Sequence, residues 1–214
     1  YTSDDHLLMH IYNWLGVEYL RKGDYSNAIL YESKSLKLAK RFGDVEFERN
    51  AFINMGVISQ NEGNNYKALE YYKKALELGN IESGVLYNNI ALIYLSVGNY
   101  KKAIEYFKKA INVAEENGHF LKSGEWILNL GNAYRIAKDY KNGKFYLEKG
   151  LERVKKAGNK RWEALGYTYF GLYYKDTDNK ALAKEYLTKA YNIFKAIGDS
   201  GDALKMIYLL SSIK

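Results

Sequence analysis

The sequence contains no proline and no cysteine in its 214 residues. Because proline interrupts helices and makes up about 5% of an average protein, its absence favours long helices over a loop-rich or all-β fold. The absence of cysteine excludes disulfides, cysteine zinc sites and thiol chemistry, and it is compatible with a reducing compartment. We therefore expect an all-α fold.

Long apolar runs are also missing. No segment reaches the roughly 18 apolar residues of a membrane helix, and the N-terminus lacks the charged start and apolar core of a signal peptide. The composition, 47% hydrophobic and 27% charged, is that of an ordinary globular protein. The first residue is Tyr1 rather than Met, so we expect a fragment of a longer protein. We expect it to be cytoplasmic.

Motifs for catalysis are absent as well. The sequence has no phosphate loop GxxxxGK[ST], no GxGxxG after a strand and no GxSxG elbow. His6 and His10 have a spacing that can bind metal on a helix, but the glutamate of an HExxH motif is missing. A surface pair is the favoured interpretation. We expect no enzymatic activity, no cofactor and no metal.

Small residues recur at fixed offsets in five copies. The first position is occupied by Gly16, Gly56, Ala91, Gly131 and Gly171, at spacings of 40, 35, 40 and 40. Twelve residues later come Ala28, Ala68, Ala103, Gly143 and Ala183, and after seven more come Ser35, Ala75, Ala110, Gly150 and Ala190. Small side chains let helix axes approach closely, so each copy is interpreted as a helical hairpin.

Large residues complete this pattern. Directly before the first small residue stand Leu15, Met55, Ile90, Leu130 and Phe170. Three residues after it, four of the five copies have tyrosine. Together these positions resemble the tetratricopeptide repeat (TPR), and the resemblance implies a right-handed α-solenoid of about five hairpins plus a C-terminal helix.

Two features depart from the usual repeat: the closing proline is absent, and the period is mostly 40 residues rather than 34. Longer helices that end in glycine account for both, since glycine adopts the left-handed conformation that closes a helix. Those glycines are Gly43, Gly118, Gly158 and Gly198. The longer period resembles Leu-Gly-Asn-type adaptors, kinesin light chains and the Rap- and PlcR-type peptide receptors.

We predict one TPR domain over residues 1–214. Its repeats span about 3–42, 44–78, 81–117, 119–157 and 159–197, and a helix over 199–214 caps the stack or begins an incomplete sixth repeat. Met206, Tyr208 and Leu209 leave that helix apolar on several sides. An imperfect cap, a missing next repeat, and contact with a partner or a second copy all remain open.

Charge is distributed along the second helices. The net charge of +7 comes from lysines that alternate with glutamates, four residues apart in the pairs Glu70/Lys74, Glu105/Lys109 and Glu185/Lys189. This pattern is typical of a solvated outer face. No basic block interleaved with aromatics or glycine is present, so we predict no direct binding of nucleic acid and no membrane binding.

Asparagine recurs on the first helices. Asn54, Asn89 and Asn129 stand two residues before the small residue of consecutive repeats, with Asn88 and Asn132 beside them. An amide both donates and accepts, so such a series can pair with the backbone of an extended peptide. The resemblance to peptide receptors implies this role. The alternative is that the side chains bridge neighbouring first helices and stabilise the stack.

Arg135 and Tyr169 complete the predicted peptide-binding residues, and Arg135 would favour an acidic or carboxylate group of the ligand. The predicted function is a protein–protein interaction scaffold that binds an extended peptide or a helical segment in its concave groove. The expected partner is a protein or peptide, with self-association through the C-terminal helix left open. The alternative is the ligand-sensing TPR half of a bacterial signalling or transcription regulator that responds to a peptide.

Overall fold

The fold is all-α. The computed structural model of the protein describes residues 3–79, 84–121 and 123–213, and within those ranges it contains eleven α-helices and no strand. The helices are α1 Ser3–Arg21, α2 Tyr25–Phe42, α3 Val45–Asn61, α4 Asn65–Glu77, α5 Gly84–Ser96, α6 Tyr100–Glu116, α7 Ser123–Ile136, α8 Tyr140–Lys156, α9 Lys160–Asp176, α10 Lys180–Ala196 and α11 Ser200–Ser211. Helices α1 to α10 pair as five hairpins, and α11 follows alone. The predicted five hairpins plus a C-terminal helix are therefore confirmed.

The chain divides into two compact units, Tyr1–Glu82 and Ser83–Lys214, called here the N-terminal and C-terminal units. The N-terminal unit holds α1 to α4, in which α2 also packs on α3. The C-terminal unit holds α5 to α11, in which the second helix of each hairpin packs on the next first helix, as α6 does on α7. Each unit therefore has the stacking pattern of an α-solenoid.

Side-chain caps fix where the second helices begin. The cap residues Asp24, Asn64, Asn99, Asp139 and Asn179 each accept a hydrogen bond from the backbone N–H three residues later. The residue before each cap has a positive φ: it is glycine in the first three hairpins, Lys138 (φ 62°) in the fourth and Asp178 (φ 57°) in the fifth. The hairpin turns thus use one backbone conformation throughout, whether or not glycine is available for it.

The core of each hairpin is built on the small residue of its first helix. A methyl group added at Gly131 would lie 2.8 Å from the backbone nitrogen of Leu147, and one at Gly56 would overlap the ring of Tyr72. The space beside each first-helix small residue is filled by a side chain of the second helix, four positions after the small residue of that helix. In the order of the repeats it is Glu32, Tyr72, Phe107, Leu147 and Leu187, and all five are fully buried.

Stacked tyrosines join the two helices of most hairpins. Ring centroids lie 5.4 Å apart for Tyr19 and Tyr31, and 5.4 Å apart for Tyr134 and Tyr146. The same arrangement recurs as Tyr94 with Tyr106 and as Tyr174 with Tyr186. The recurring tyrosine of the sequence pattern is therefore a packing residue between helices.

The charged outer faces also follow the sequence. The predicted pairs Glu70/Lys74, Glu105/Lys109 and Glu185/Lys189 are confirmed, at 2.6, 2.8 and 2.6 Å. They are solvent-exposed, so each stabilises its helix only slightly. Across the described ranges, none of the helices has the length and apolar character needed to cross a membrane.

The last helix is only partly covered. Met206 of α11 is buried and belongs to a core cluster with α9 and α10. Leu204 and Tyr208, on the other side of α11, are 66% and 74% exposed. One side of α11 therefore completes the core, and the other side presents apolar surface to solvent.

Candidate functional site

A chain of hydrogen bonds links the first helices of the C-terminal unit. The side-chain amide of Asn129 on α7 donates to Oδ1 of Asn88 on α5 at 3.2 Å. The hydroxyl of Tyr169 on α9 donates to Oδ1 of Asn129 at 3.3 Å. Asn88 and Asn129 are buried, and burial raises the pKa of the Tyr169 hydroxyl while nearby Arg135 opposes the rise. Three successive first helices are thus joined side chain to side chain.

This network gives Asn88 and Asn129 partners within the protein. The bond from Asn129 goes to Asn88, three residues before the small residue Ala91, although Asn89 holds the repeat position that corresponds to Asn129. Asn89 is partly exposed, and its side chain makes no hydrogen bond to any described residue. The bridging role therefore falls to one asparagine of the pair and leaves the other available.

Arg135 lies at the C-terminal end of the same helix as Asn129. Its Nε donates to Oδ1 of Asn132 at 3.0 Å, and its Nη1 forms an ion pair with Asp176 of α9. An acidic group of a ligand would therefore meet Arg135 in competition with Asp176. Asn132 remains partly exposed beside it.

Asn54 has a different environment, in the N-terminal unit. Its side-chain amide on α3 donates to Oε1 of Glu32 on α2 at 2.9 Å, and the amide of Asn13 on α1 lies close to the same carboxyl. Asn13 and Asn54 are partly exposed, whereas Glu32 is fully buried. Burial raises the pKa of Glu32 to about 8, and the two amides oppose that rise.

Sequence reasoning missed the Glu32 carboxyl. The signal was present, because Glu32 stands at the repeat position that holds an aromatic residue or leucine in the other four copies. Comparison of this position across the five copies shows the acidic residue as the exception. The predicted peptide-binding residues thus do not form one cluster. Asn54 lies in the N-terminal unit with Glu32. The others lie in the C-terminal unit, on α5 (Asn88, Asn89), α7 (Asn129, Asn132, Arg135) and α9 (Tyr169).

The two N-terminal histidines pack on aromatic rings. His6 stacks on Phe42 with ring centroids 4.1 Å apart, and His10 meets the edge of Phe47 at 4.5 Å. No group of three or more metal-ligating side chains occurs among the residues that the structure describes.

Comparison with known proteins supports the fold. Two sequence models of the tetratricopeptide repeat match the chain, one over residues 47–116 and the other over residues 10–42 and 127–153. Together they cover more than half of it. A search of the curated proteins finds no match.

Solved structures of similar fold share little sequence. BtubC from P. vanneervenii superposes with a TM-score of 0.76 at 20% identity, over 86% of this chain and 78% of its own. A Rap protein complexed with competence and sporulation factor gives 0.72 at 16% identity, over 100% of this chain and 65% of its own. YrrB, a TPR protein with an unusual peptide-binding site, gives 0.59 at 19% identity, over 85% and 84%.

The chain thus spans only about two thirds of that Rap protein. At these identities the likeness concerns the fold, whereas the family rests on the repeat matches. With five hairpins, the small-residue register and the matches over residues 10–42, 47–116 and 127–153, this chain belongs to the tetratricopeptide repeat family.

Proposed function

We propose that this chain binds an extended peptide or a helical segment of another protein along its first helices. The observation that carries the proposal is the side chain of Asn89, which is partly exposed and forms no hydrogen bond within the described part of the chain. The neighbouring Asn88 already bridges to Asn129. The stack therefore does not use the Asn89 amide, which can both donate to and accept from a peptide backbone.

The other asparagines take distinct roles in this proposal. Asn132 and Asn54 are partly exposed and would contact the peptide through the amide groups that their bonds with Arg135 and Glu32 leave free. Asn88, Asn129 and Tyr169 are joined to one another and would hold the helices that carry the contacting residues in place. Arg135, which pairs with Asp176, would bind an acidic group at one end of the ligand.

Two of the similar solved structures support a binding role. YrrB has a peptide-binding site on the same fold. TPR proteins generally act as scaffolds for other proteins. The proposal places the chemistry of this chain in recognition, with the repeat stack supplying a rigid surface.

Alanine substitutions test the proposal against an immobilised library of random peptides. The double variant Asn54→Ala/Asn89→Ala should bind the peptides selected by the wild-type chain about tenfold or more weakly. Each substitution removes an amide proposed to bond the peptide backbone. Asn112→Ala and Asn192→Ala provide the matched control, because both residues are exposed on second helices. Unchanged affinity in the Asn54/Asn89 variant, with its helical content intact, would overturn the proposal.

A second candidate function is the sensor half of a bacterial regulator. It is favoured by the likeness to a Rap protein complexed with competence and sporulation factor, which extends over the whole of this chain. A sensor should change conformation when its ligand binds. Hydrogen exchange with and without a selected peptide distinguishes the two functions, since a scaffold should gain protection only where the peptide lies.

Self-association through α11 is the remaining proposed interaction. The exposed Leu204, Ile207 and Tyr208 supply the apolar surface for it. Sedimentation velocity over a hundredfold range of concentration is the test, and a monomer at every concentration would exclude it.

A further inference from the structure

The first hairpin carries a carboxyl group at a core position that packing does not require to be acidic. Glu32 is fully buried, and the other four repeats fill the same position with Tyr72, Phe107, Leu147 and Leu187, which are also fully buried. An apolar side chain therefore suits this position in the same hairpin geometry. A buried carboxyl costs free energy that an apolar residue would not.

The carboxyl reaches between the helices because Gly16 leaves room for it. A methyl group at Gly16 would lie 2.6 Å from Oε1 of Glu32. Oε1 accepts the hydrogen bond from Asn54 at 2.9 Å, whereas Oε2 is buried and has no hydrogen-bond partner. One oxygen of the carboxyl is thus left without a hydrogen-bond partner inside the fold.

No described residue of the N-terminal unit offers Glu32 a counter-charge. The side chains that face the carboxyl from α1 and α3 are the amides of Asn13 and Asn54, and no ion pair of Glu32 occurs among the described residues. Arg49 of α3 also has a buried Nε without a partner. Arg49 is five positions from Asn54 along α3, so the two side chains leave the helix in directions roughly 140° apart.

The site lies one layer below the surface. Asn13 and Asn54 are partly exposed on the first helices α1 and α3, and Glu32 lies behind them. A ligand on this face would meet the two amide groups first. Those side chains would have to rotate aside for a donor group of the ligand to reach the buried Oε2.

We propose that Asn13, Glu32 and Asn54 form a subsite for a cationic group, an ammonium or a guanidinium, of a bound peptide. This inference rests on the proposed peptide-binding function and names the chemistry of one ligand residue. Once Glu32 has lost its proton, a cation supplies both a donor to Oε2 and a counter-charge, and the amide oxygens of Asn13 and Asn54 can accept its remaining N–H groups. A neutral apolar side chain supplies none of these.

Binding of a cation should be coupled to loss of a proton. Because burial raises the pKa of Glu32 to about 8, the side chain carries a proton at pH 7. When the ammonium binds, the carboxyl O–H bond breaks, the proton passes to the buffer, and the carboxylate pairs with the cation. The reaction releases up to one proton for each peptide bound.

Paired peptides test the cation preference at pH 7. The probes are library peptides selected by the wild-type chain, each resynthesised with every lysine or arginine replaced in turn by norleucine. At one position the replacement should weaken binding by about tenfold. In Glu32→Gln the same replacement should change affinity by less than about twofold, while peptides without a cation bind as they do to wild type. The exposed Glu62→Gln is the matched control and should retain the preference.

Calorimetry in two buffers of different ionisation enthalpy supplies a readout that a purely structural Glu32 would not give. Proton release should accompany binding of the cationic peptide to wild type and should vanish in Glu32→Gln. If wild type selects peptides but shows no cation preference, or if Glu32→Gln keeps it, the subsite is excluded and peptide binding still stands. If wild type selects no peptide at all, the proposed function fails and this inference fails with it.

Discussion

At the scale of single residues, Glu32 differs from the buried polar groups whose hydrogen bonds are satisfied inside the fold. Ser35, Asn88 and Asn129 are buried but hydrogen-bonded inside the fold, so their cost is offset locally. Glu32 is bonded through only one of its oxygens. Its contribution to stability therefore depends on whether it is charged, and hence on pH.

Glu32→Gln should make the protein more stable at alkaline pH. The pKa of Glu32 is raised from 4.5 to about 8 in the folded protein, so the folded protein holds the proton more tightly than the unfolded chain. Between these two values the unfolded chain has released the proton and the folded protein has not. The free energy of unfolding therefore falls as pH rises through this range, by up to about 1.4 kcal/mol per pH unit, and the loss is complete above pH 8.

Urea unfolding at pH 5, 6, 7, 8 and 9 measures the free energy of unfolding of wild type and of Glu32→Gln. The contributions of other titrating groups cancel in the difference between the two proteins. The advantage of Glu32→Gln should grow from pH 5 to pH 8 and then level off. Glu62→Gln, at the exposed C-cap that follows α3, should show no such growth. A constant difference between wild type and Glu32→Gln across the series would contradict the assignment.

Residue types at fixed offsets predicted which small side chains pack, but not which polar side chains meet. Gly131 and Gly143 follow from the repeat register, and their helices do approach closely, since a methyl group at Gly143 would lie 3.4 Å from the carbonyl oxygen of Gly131. The bond from Asn129 to Asn88 rather than to Asn89 depends on the rotation of α5 relative to α7. A difference of one residue is about 100° around a helix, which the repeat pattern alone does not resolve.

At the scale of helices and turns, the hairpins share one turn geometry and differ in how well their residues suit it. Gly23, Gly63 and Gly98 adopt a positive φ at no steric cost, whereas Lys138 and Asp178 adopt it with a side chain. Lysine and aspartate therefore suit this turn less well than glycine does. The turns are maintained because the caps Asp139 and Asn179 and the packed helices determine the path of the chain.

Lys138→Gly should stabilise the protein by roughly 0.5–1 kcal/mol, because it removes the strain of a left-handed lysine. Asp178→Gly should gain less, since aspartate tolerates this conformation better than lysine. Thermal unfolding of each variant measures the change. Lys184→Gly, an exposed position inside α10, is the control and should instead lose about 1 kcal/mol. Equal losses at all three positions would mean that backbone strain at Lys138 is negligible.

A pair of glycine-to-alanine changes tests the close approach of α7 and α8. The methyl group of Gly131→Ala would lie 2.8 Å from the backbone nitrogen of Leu147 and 2.9 Å from its Cγ. Backbone cannot move aside easily, so we expect a loss of about 1–3 kcal/mol. In Gly201→Ala of α11 the nearest atom is 3.9 Å away, and the change should instead gain a few tenths to about 1 kcal/mol from helix propensity. Chemical unfolding compares the two, and a stabilising Gly131→Ala would refute the packing argument.

At the scale of the whole molecule, repetition makes the fold predictable while leaving the partner undefined. Five copies of one small-residue register specify the hairpins, because each copy has the same packing problem and solves it in the same way. Binding residues are not repeated in this manner. Asn54 contacts Glu32, Asn129 bridges to Asn88, and Asn89 bonds to no described side chain, although all three share one repeat position.

The same local organisation should govern how the protein unfolds. Ile58 in the N-terminal unit and Leu130 in the C-terminal unit are both fully buried, and replacing either by alanine should cost about 2–5 kcal/mol through the cavity left behind. Because repeats contact mainly their neighbours, we expect each loss to be concentrated near its own hairpin. Hydrogen exchange followed by mass spectrometry of both variants is the measurement. Leu130→Ala should deprotect α7 and α8 most, and Ile58→Ala should deprotect α3 and α4. If both variants lost protection evenly along the chain, the 214 residues would unfold as a single cooperative unit, and the additive view of repeat stability would not apply to this protein.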